Sequence, residues 1–172
     1  MSNTLGFGLR FALFFALLMT AFEASRGTAV ERFLIDDLIL EPTVHVINVV
    51  TPGERILLVN RTLISAQGSR LHVTRGCEGI EMFLLLISAM AAFPASLRRR
   101  LQGLLVGSAL AYVLSVGRLI ALHYILRYWP EAWENAHGLI LPLGPIILMA
   151  LFFLRWSSPG TAAALSRDHH AA

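Results

Sequence analysis

Four apolar stretches constrain this chain more than any other feature of its sequence. They cover about residues 5–22, 80–94, 101–124 and 137–156, and a membrane-spanning helix needs about 20 mostly apolar residues. Hydrophobic residues make up 56% of the 172 residues and charged residues only 15%, whereas a soluble domain has about 25% charged residues. We therefore expect a mainly α-helical, polytopic membrane protein with about four transmembrane helices.

The distribution of arginine predicts the orientation of these helices. All 14 basic residues are arginine, and Arg98, Arg99 and Arg100 lie between the second and third stretches. Short loops rich in arginine stay in the cytoplasm, so residues 24–76 are predicted to be extracytoplasmic and residues 157–172 to form a cytoplasmic, disordered tail. Nucleic-acid binding is not indicated, because the chain has no soluble basic domain with interleaved aromatic residues.

The first stretch is open to two interpretations. Residues 11–21 form an apolar core short enough for a cleavable signal peptide, but Ala21-Phe22-Glu23-Ala24 is a poor site for signal peptidase. The sequence therefore favours an uncleaved membrane anchor over a signal peptide. Under either interpretation the residues that follow are exported.

The exported segment is predicted to fold as helix and sheet. Thr28 and Glu31 have the spacing of a capping box, and the apolar residues after them recur at helical spacing. We expect this helix to end before Pro42 and a second short helix to cover residues 43–50. The β-rich pattern that follows predicts a small hairpin leading to Cys77, with strands and turn at residues 55–60, 62–66, 67–69 and 70–74.

Cys77 is the only cysteine, and it lies at the start of the second apolar stretch. A single thiol cannot form an internal disulfide, and one that is flanked by glycine and charged groups is a candidate nucleophile. Arg118 lies 18 residues beyond Arg100, which is about 27 Å along a helix and near the outer face of the hydrocarbon. It should face protein or a water-filled cavity, or else its side chain extends to the outer headgroups.

His137 opens the fourth stretch on the same side of the membrane, so topology brings Cys77, Arg118 and His137 to one depth. These groups suit acyl transfer: the thiolate attacks a carbonyl, His137 moves the proton, and Arg118 stabilises the oxyanion. Glu81, one helical turn after Cys77, could pair with Arg118, orient His137 or form an ordinary ion pair at the end of a span.

The other histidines are weaker candidates, and no metal site or cofactor is predicted. His123 lies on a different helical face from Arg118. His45 and His72 fall in the exported segment, where a solvated histidine is the usual case. The pair His169-His170 in the tail is interpreted as incidental.

The motifs around these residues occur in a particular order. They are Gly76-Cys77-Glu78-Gly79, Glu81, Phe93-Pro94, Gly117-Arg118 and His137. This set resembles the exosortase/archaeosortase family of membrane cysteine transpeptidases, and in particular its short bacterial members that lack an extra C-terminal domain. The resemblance begins at about the exported segment and is densest over residues 70–156.

The resemblance implies that Cys77, Arg118 and His137 are the catalytic residues of one exosortase-like domain over residues 1–172. That domain would comprise a first span at 5–22, an extracytoplasmic segment at 24–76 and a three-span catalytic core at 80–156. The family often has asparagine three residues before the arginine, where this chain has Ser115. A hydroxyl can replace part of the hydrogen bonding of an amide, which makes Ser115 a supporting residue beside Glu81.

The resemblance also implies partners and a location. Such enzymes cut exported proteins near a C-terminal sorting signal, which comprises a short motif, a transmembrane helix and a basic cluster. A thioester intermediate then passes to an amine-bearing or other acceptor at the cell surface. The expected location is the bacterial cytoplasmic (inner) membrane, among lipid, with the site facing the periplasm or exterior, in an exopolysaccharide-associated role without a cofactor. We expect residues 62–74 to guide the cleavage motif by strand addition.

Three other functions remain as alternatives. The chain could be a non-enzymatic membrane scaffold or assembly factor in which Cys77 is incidental. A thiol-redox protein is less well supported, because the sequence has no second cysteine to resolve a mixed disulfide. A transporter is the least supported, because polar groups at one rim do not form a binding site at the membrane midplane.

Overall fold

The computed structural model describes residues 2–158, which are mainly helical with one small sheet. The predicted His169-His170 pair and most of the predicted tail lie outside these residues. The longer helices are α1 (Ser2–Ala24), α4 (Ile80–Ala92), α5 (Leu97–Tyr128) and α7 (Leu141–Ser157). The shorter elements are α2 (Ala29–Arg32), α3 (Glu41–Val50), α6 (Trp133–Asn135), a 3-10 turn (Pro130–Ala132), and two π-helical segments (Phe33–Leu40 and Ala136–Ile140).

Three helical stretches in the described part of the chain are long and apolar enough to cross a membrane: Leu5–Ala24, Leu97–Tyr128 and Pro130–Ser157. The second predicted span corresponds to α4, which has only 13 residues. That length is about 20 Å, whereas the hydrocarbon core of a bilayer is about 30 Å thick. Membrane character is therefore supported by three helices rather than by four of full length.

The arginine cluster is helical and does not form the loop that the sequence predicts. Arg98, Arg99 and Arg100 occupy the first turn of α5, which begins at Leu97 and runs for 32 residues. Arginine is a good helix former, so the cluster extends the helix instead of interrupting it. The turn between α4 and α5 is shortened to residues 93–96.

Helix α4 lies against the other three long helices, packing on α1, α5 and α7. Small residues on α5 permit the close approach of α7. A Cβ atom at Gly107 would lie 2.7 Å from side-chain atoms of both Leu86 and Phe152, which is too close for any larger residue. The buried side chains in this part of the core are Met82, Leu86, Met90, Ala111, Met149 and Trp156.

The secondary structure of residues 24–76, the segment predicted to be exported, differs from the predicted one in two respects. The helix does not end before Pro42, since α2, the first π-helical segment and α3 follow one another without a break from Ala29 to Val50. Pro42 lies where the π-helical segment changes to α3, and the helix continues through it instead of ending there. The predicted hairpin has a third strand: β1 (Leu57–Val59), β2 (Thr62–Ile64) and β3 (Arg70–His72) form an antiparallel meander.

The segment predicted to be exported packs on the half of α5 that carries Arg118. Its helical part supplies Ile35, Ile39 and Ile47 to a core that also includes Leu119 and Leu122 of α5. The sheet contributes Leu63 and Leu71 to the same core. This shared core fixes the end of β3, and so the loop to Cys77, against the membrane-type helices.

Candidate functional site

A tight turn between β3 and α4 presents Cys77. Gly76 and Gly79, on either side of Cys77-Glu78, both have a φ of +81°, a left-handed conformation that glycine adopts without the cost of a Cβ. The Cys77 N–H donates to the Thr74 carbonyl at 3.0 Å, which closes the turn. Gly79 is the N-cap of α4, so the thiol lies two residues before a helix N-terminus, where the helix dipole favours negative charge.

The thiol is in contact with an imidazole from a distant part of the chain. Cys77 Sγ lies 3.4 Å from His137 Nε2, although 60 residues separate the two. The Thr74 hydroxyl lies 3.5 Å from the same sulfur. Cys77 is buried, with 7% of its surface exposed. The predicted proximity of Cys77 and His137 is therefore present as a direct thiol–imidazole contact, an arrangement that can activate a thiol.

His137 is held by the π-helical segment Ala136–Ile140 and by an aromatic stack. Its ring lies parallel to the Trp133 indole, with centroids 5.0 Å apart and an interplanar angle of 14°. Trp133 itself packs against the core shared by α5 and the exported segment. Stacked aromatic pairs contribute about 0.5–1.5 kcal/mol beyond area burial. The stack therefore restricts rotation of the imidazole and keeps Nε2 directed at the sulfur.

Arg118 reaches the loop that carries the thiol. Its Nη1 donates to the Gly76 carbonyl at 3.3 Å, so the guanidinium contacts protein at the residue immediately before Cys77. Its Nε is buried and has no hydrogen-bond partner within residues 2–158. A guanidinium has five N–H donors, so the one bond to Gly76 leaves other donors of Arg118 unused beside the Cys77 turn.

Ser115 lies one helical turn before Arg118 and is fully buried against the N-cap of α4. A Cβ atom at Gly79 would lie 3.1 Å from Ser115 Cβ and closer still to its Oγ. The Ser115 hydroxyl has no hydrogen-bond partner among the described residues. Its visible contribution is steric, because the small side chain lets α5 approach the turn that holds Cys77.

Glu81 lies near the turn, but its side chain forms none of the three pairs considered from the sequence. Its carboxylate oxygen would be 3.9 Å from a Cβ placed at Gly76. Within residues 2–158 its side chain makes no ion pair or hydrogen bond to Arg118, His137 or another residue. It is partly exposed beside the turn and contributes negative charge there.

A charge cluster that sequence reasoning missed borders the Cys77 turn. Glu78 is buried, its Oε1 lies 3.6 Å from Arg26 Nη1, and burial raises its pKa. Arg26 also pairs with Glu31 at 3.2 Å, and Arg61 pairs with the same carboxylate at 3.1 Å. The Gly27 N–H and the Arg61 guanidinium lower the pKa of Glu31 to about 2. This cluster ties the helix after α1 and the sheet to the residue that follows the thiol.

A cavity of about 320 Å³ opens beside this cluster. Its walls come from the first π-helical segment, from β3 and from the loop that leads to Cys77. The lining residues nearest the thiol in sequence are Thr74, Arg75 and Glu78. It has room for a few side chains, and residues on both sides of Cys77 in the sequence line it.

His123 belongs to a separate buried network, in agreement with its lower ranking from the sequence. Its Nε2 lies 3.5 Å from Glu54 Oε2, and both residues are almost fully buried. The Ser65 hydroxyl donates to the same carboxylate at 2.5 Å, and Arg127 lies 3.4 Å from its other oxygen. This network ties the sheet to the end of α5. Of the remaining histidines, His72 contacts the Thr62 hydroxyl and His45 is exposed.

Sequence signals for the missed groups were present but not specific. Thr74 and Trp133 each lie three or four residues from a predicted catalytic residue, which is the spacing of contact within a turn or helix. Glu54 and Glu31 pair with arginines 73 and 30 residues away, and such long-range pairing has no local signature. Only the fold brings these carboxylates to their partners.

No group of three or more histidine, cysteine, aspartate or glutamate residues in the described part of the chain has an arrangement that could hold a metal ion. Comparison with protein-family models, curated proteins and solved structures gives no match for this chain.

Proposed function

We propose that this protein is a membrane cysteine transpeptidase of exosortase type, which cleaves exported proteins near a C-terminal sorting signal. One observation carries the proposal: Cys77 Sγ and His137 Nε2 are 3.4 Å apart. The contact joins the two residues that the family resemblance selects as nucleophile and base. An incidental cysteine has no need of an imidazole from a different helix, stacked on a tryptophan and directed at its sulfur.

The reaction proceeds in two acyl transfers. His137 accepts the thiol proton as Cys77 Sγ attacks the scissile carbonyl, so that an S–C bond forms. The C–N bond then breaks, and His137 gives its proton to the leaving amine. In the second half, an acceptor amine loses a proton to His137 as it attacks the thioester. The S–C bond breaks and the thiolate takes that proton back, which restores the starting state.

Arg118 stabilises the negative oxygen that develops in both halves. Its guanidinium stays charged at any physiological pH, and its contact with the Gly76 carbonyl holds it one residue from the nucleophile. The guanidinium has five N–H donors, and those not used by the Gly76 carbonyl can serve the oxyanion. Ser115 supports this role sterically by allowing α5 to approach the Cys77 turn, and Glu81 lies beside the same turn.

The proposed topology has four membrane crossings with the site facing the periplasm or exterior of the inner membrane. Three crossings are the long apolar helices, and α4 completes the fourth as a short helix that begins just below Cys77. The basic first turn of α5 favours a cytoplasmic position for the opposite end. An exported segment with its own core then covers the site on the outer side.

The proposed substrate is an exported protein whose sorting motif extends along the sheet. Strand β3 is an edge strand, since the sheet order is β1-β2-β3. An extended peptide can add to its free edge, and β3 leads directly into the Cys77 turn. The substrate's transmembrane helix would lie along the apolar helices, and a surface amine or water would take the acyl group.

The test follows processing of an exported reporter that carries a C-terminal motif, transmembrane helix and basic cluster. Cys77→Ala should abolish processing, and His137→Ala should slow it by about 10²–10⁴-fold, the usual contribution of general acid–base catalysis. Arg118→Lys should also slow it, because lysine loses the planar donor array.

Two matched variants control for general damage. His45→Ala removes an exposed histidine of the same segment, and Arg55→Lys changes an exposed arginine there; neither residue lines the cavity or lies on β3. Both should leave processing within about twofold of the unmodified protein, since single exposed changes have small effects. Normal maturation of the reporter by Cys77→Ala would refute the transpeptidase proposal and favour the scaffold alternative.

A further inference from the structure

The end of the bundle opposite Cys77 carries only positive charge among the described residues. Arg98, Arg99 and Arg100 form the first turn of α5, and Arg155 lies in the last turn of α7. The sequence has no aspartate or glutamate from residue 82 to residue 130, or from residue 135 to residue 158. Arg98, Arg99 and Arg100 accordingly form no ion pair with any residue in 2–158.

The helix dipole makes this positive charge unfavourable in the protein alone. A helix N-terminus carries a partial positive charge, so arginine in the first turn is repelled where aspartate or glutamate would be stabilised. The N-cap residue of α5, Ser96, makes no capping hydrogen bond with its side chain. Three arginines and an uncapped 32-residue helix therefore create a site of positive potential that an external anion would stabilise.

A groove between α5 and α7 opens at this same end, with a volume of about 440 Å³. Its floor is apolar or small, formed by Gly103, Val106, Phe152 and Trp156. Its rim is polar, formed by Arg99, Gln102 and Arg155.

The rim arginine is fixed in place. The Arg99 guanidinium lies 5.4 Å from the Trp156 ring centroid and donates hydrogen bonds to the carbonyls of Trp156 and Ser158. Its Nε is buried and has no hydrogen-bond partner in the described part of the chain. The groove is therefore amphipathic, with cations at its mouth and hydrocarbon along its floor.

We infer that this groove binds an anionic phospholipid, with the phosphate at the Arg99 rim and one acyl chain along Val106 and Phe152. The apolar floor selects a lipid over a free phosphate ion, which would leave that surface uncovered. The helices that form the groove are both apolar and long enough to cross a membrane, so the floor lies at hydrocarbon depth. A zwitterionic lipid is disfavoured because no carboxylate among residues 2–158 stands near the rim to receive its cationic headgroup. This site is independent of the chemistry at Cys77.

The test uses Trp156 as a reporter of the groove. The full chain with Trp129→Phe and Trp133→Phe retains Trp156 as its only tryptophan. It is reconstituted in vesicles of unlabelled phosphatidylcholine. A small fraction of one brominated lipid is added, either phosphatidylglycerol or phosphatidylcholine with bromine on its acyl chains. Bromine quenches tryptophan fluorescence, so the quenching of Trp156 by each lipid gives its relative affinity for the groove. Phosphatidylglycerol should be preferred by about fivefold or more, because one arginine near an anionic lipid contributes about that factor.

Two variants with the same change in net charge separate a site from a diffuse surface potential. Gln102→Glu adds a carboxylate at the rim of the groove, and Arg98→Gln removes an exposed charge that does not line it. The preference should fall severalfold in Gln102→Glu and by less than about twofold in Arg98→Gln, because a diffuse potential depends on net charge rather than on position.

The unmodified protein, with all three tryptophans, provides a second measurement: the lipids that co-purify with it are identified by mass spectrometry. Phosphatidylglycerol or another anionic lipid should be enriched over its membrane fraction, and less so in Gln102→Glu. Three results would overturn the inference: equal quenching by the two lipids, equal losses in the two variants, or loss of the preference on adding millimolar inorganic phosphate. The last result would assign the site to a free anion.

Discussion

The turn that holds Cys77 should be sensitive to a single added methyl group at Gly79. Gly79 has a φ of +81°, and a Cβ there would lie 3.1 Å from Ser115 Cβ and 3.2 Å from Met82 Cε. The left-handed backbone costs about 1–2 kcal/mol for alanine, and overpacking against Ser115 costs about 1–3 kcal/mol more. Gly79→Ala should therefore destabilise the protein by about 2–5 kcal/mol in total.

Gly76→Ala is a matched control, because Gly76 has the same φ of +81° but much more space. The nearest heavy atom to its added Cβ is Glu81 Oε1 at 3.9 Å, an ordinary contact. It should cost only the backbone contribution of about 1–2 kcal/mol. The difference between the two glycine variants isolates the steric contact with α5.

Ser115→Gly should rescue Gly79→Ala, since it removes the Cβ and Oγ that the new methyl group would meet. The expected coupling energy is about 1–3 kcal/mol in a double-mutant cycle. The assay is unfolding in mixed micelles, with the rate of Cys77 alkylation as a local readout. Equal destabilisation by the two glycine variants, or an absence of coupling with Ser115→Gly, would refute the close approach of α5 to this turn.

Three further predictions concern the residues around the site. Trp133→Ala should slow reporter processing by about 2–10-fold through loss of the stack on His137, whereas Trp133→Phe should largely restore it; equal rates in both would argue against a positioning role. Glu54→Ala should lower stability by about 3 kcal/mol, because it leaves buried partners such as His123 unpaired, and an unchanged unfolding midpoint would contradict this. The folded-state pKa of Glu31 is lowered from 4.5 to about 2, so the stability from its ionised form should be complete above pH 4.5 and lost as pH falls toward 2. Unfolding midpoints measured over this range should change less in Glu31→Gln.

Local pattern is sufficient to predict the helical class and the presence of a small sheet. Apolar length alone locates the long helices, and the alternation after Pro52 locates the strands to within a few residues. The errors have local causes that the pattern does not contain. The pattern predicts a helix end before Pro42, but the chain changes from π to α geometry there and continues. The pattern also predicts a loop at the arginine cluster, but arginine is a good helix former and the cluster begins α5.

For the candidate site, the sequence predicts the depth of each residue in the membrane but not which side chains are in contact. Counting residues along α5 places Arg118 and the start of the fourth stretch at one level, and the structure brings Cys77 and His137 into contact there. Depth does not give the rotation of a residue about its helix axis, so the sequence does not select one partner for Glu81. In the structure its side chain makes no ion pair among the described residues. The stack of Trp133 on His137 depends on the turn before α7, whose geometry no sequence rule predicts.

In the proposed topology, the shortness of α4 affects which substrates can reach the thiol. With 13 residues, α4 is about 10 Å shorter than a bilayer's hydrocarbon core. Cys77 and the turn after α4 would then both reach headgroup level only if the lipid thins locally; otherwise the thiol would lie below the interface. In both cases a freely diffusing peptide meets a partition barrier, while a chain tethered by its own membrane helix arrives at high effective concentration. The length of α4 would then favour membrane-anchored substrates, independently of any side-chain contact with the cleavage motif.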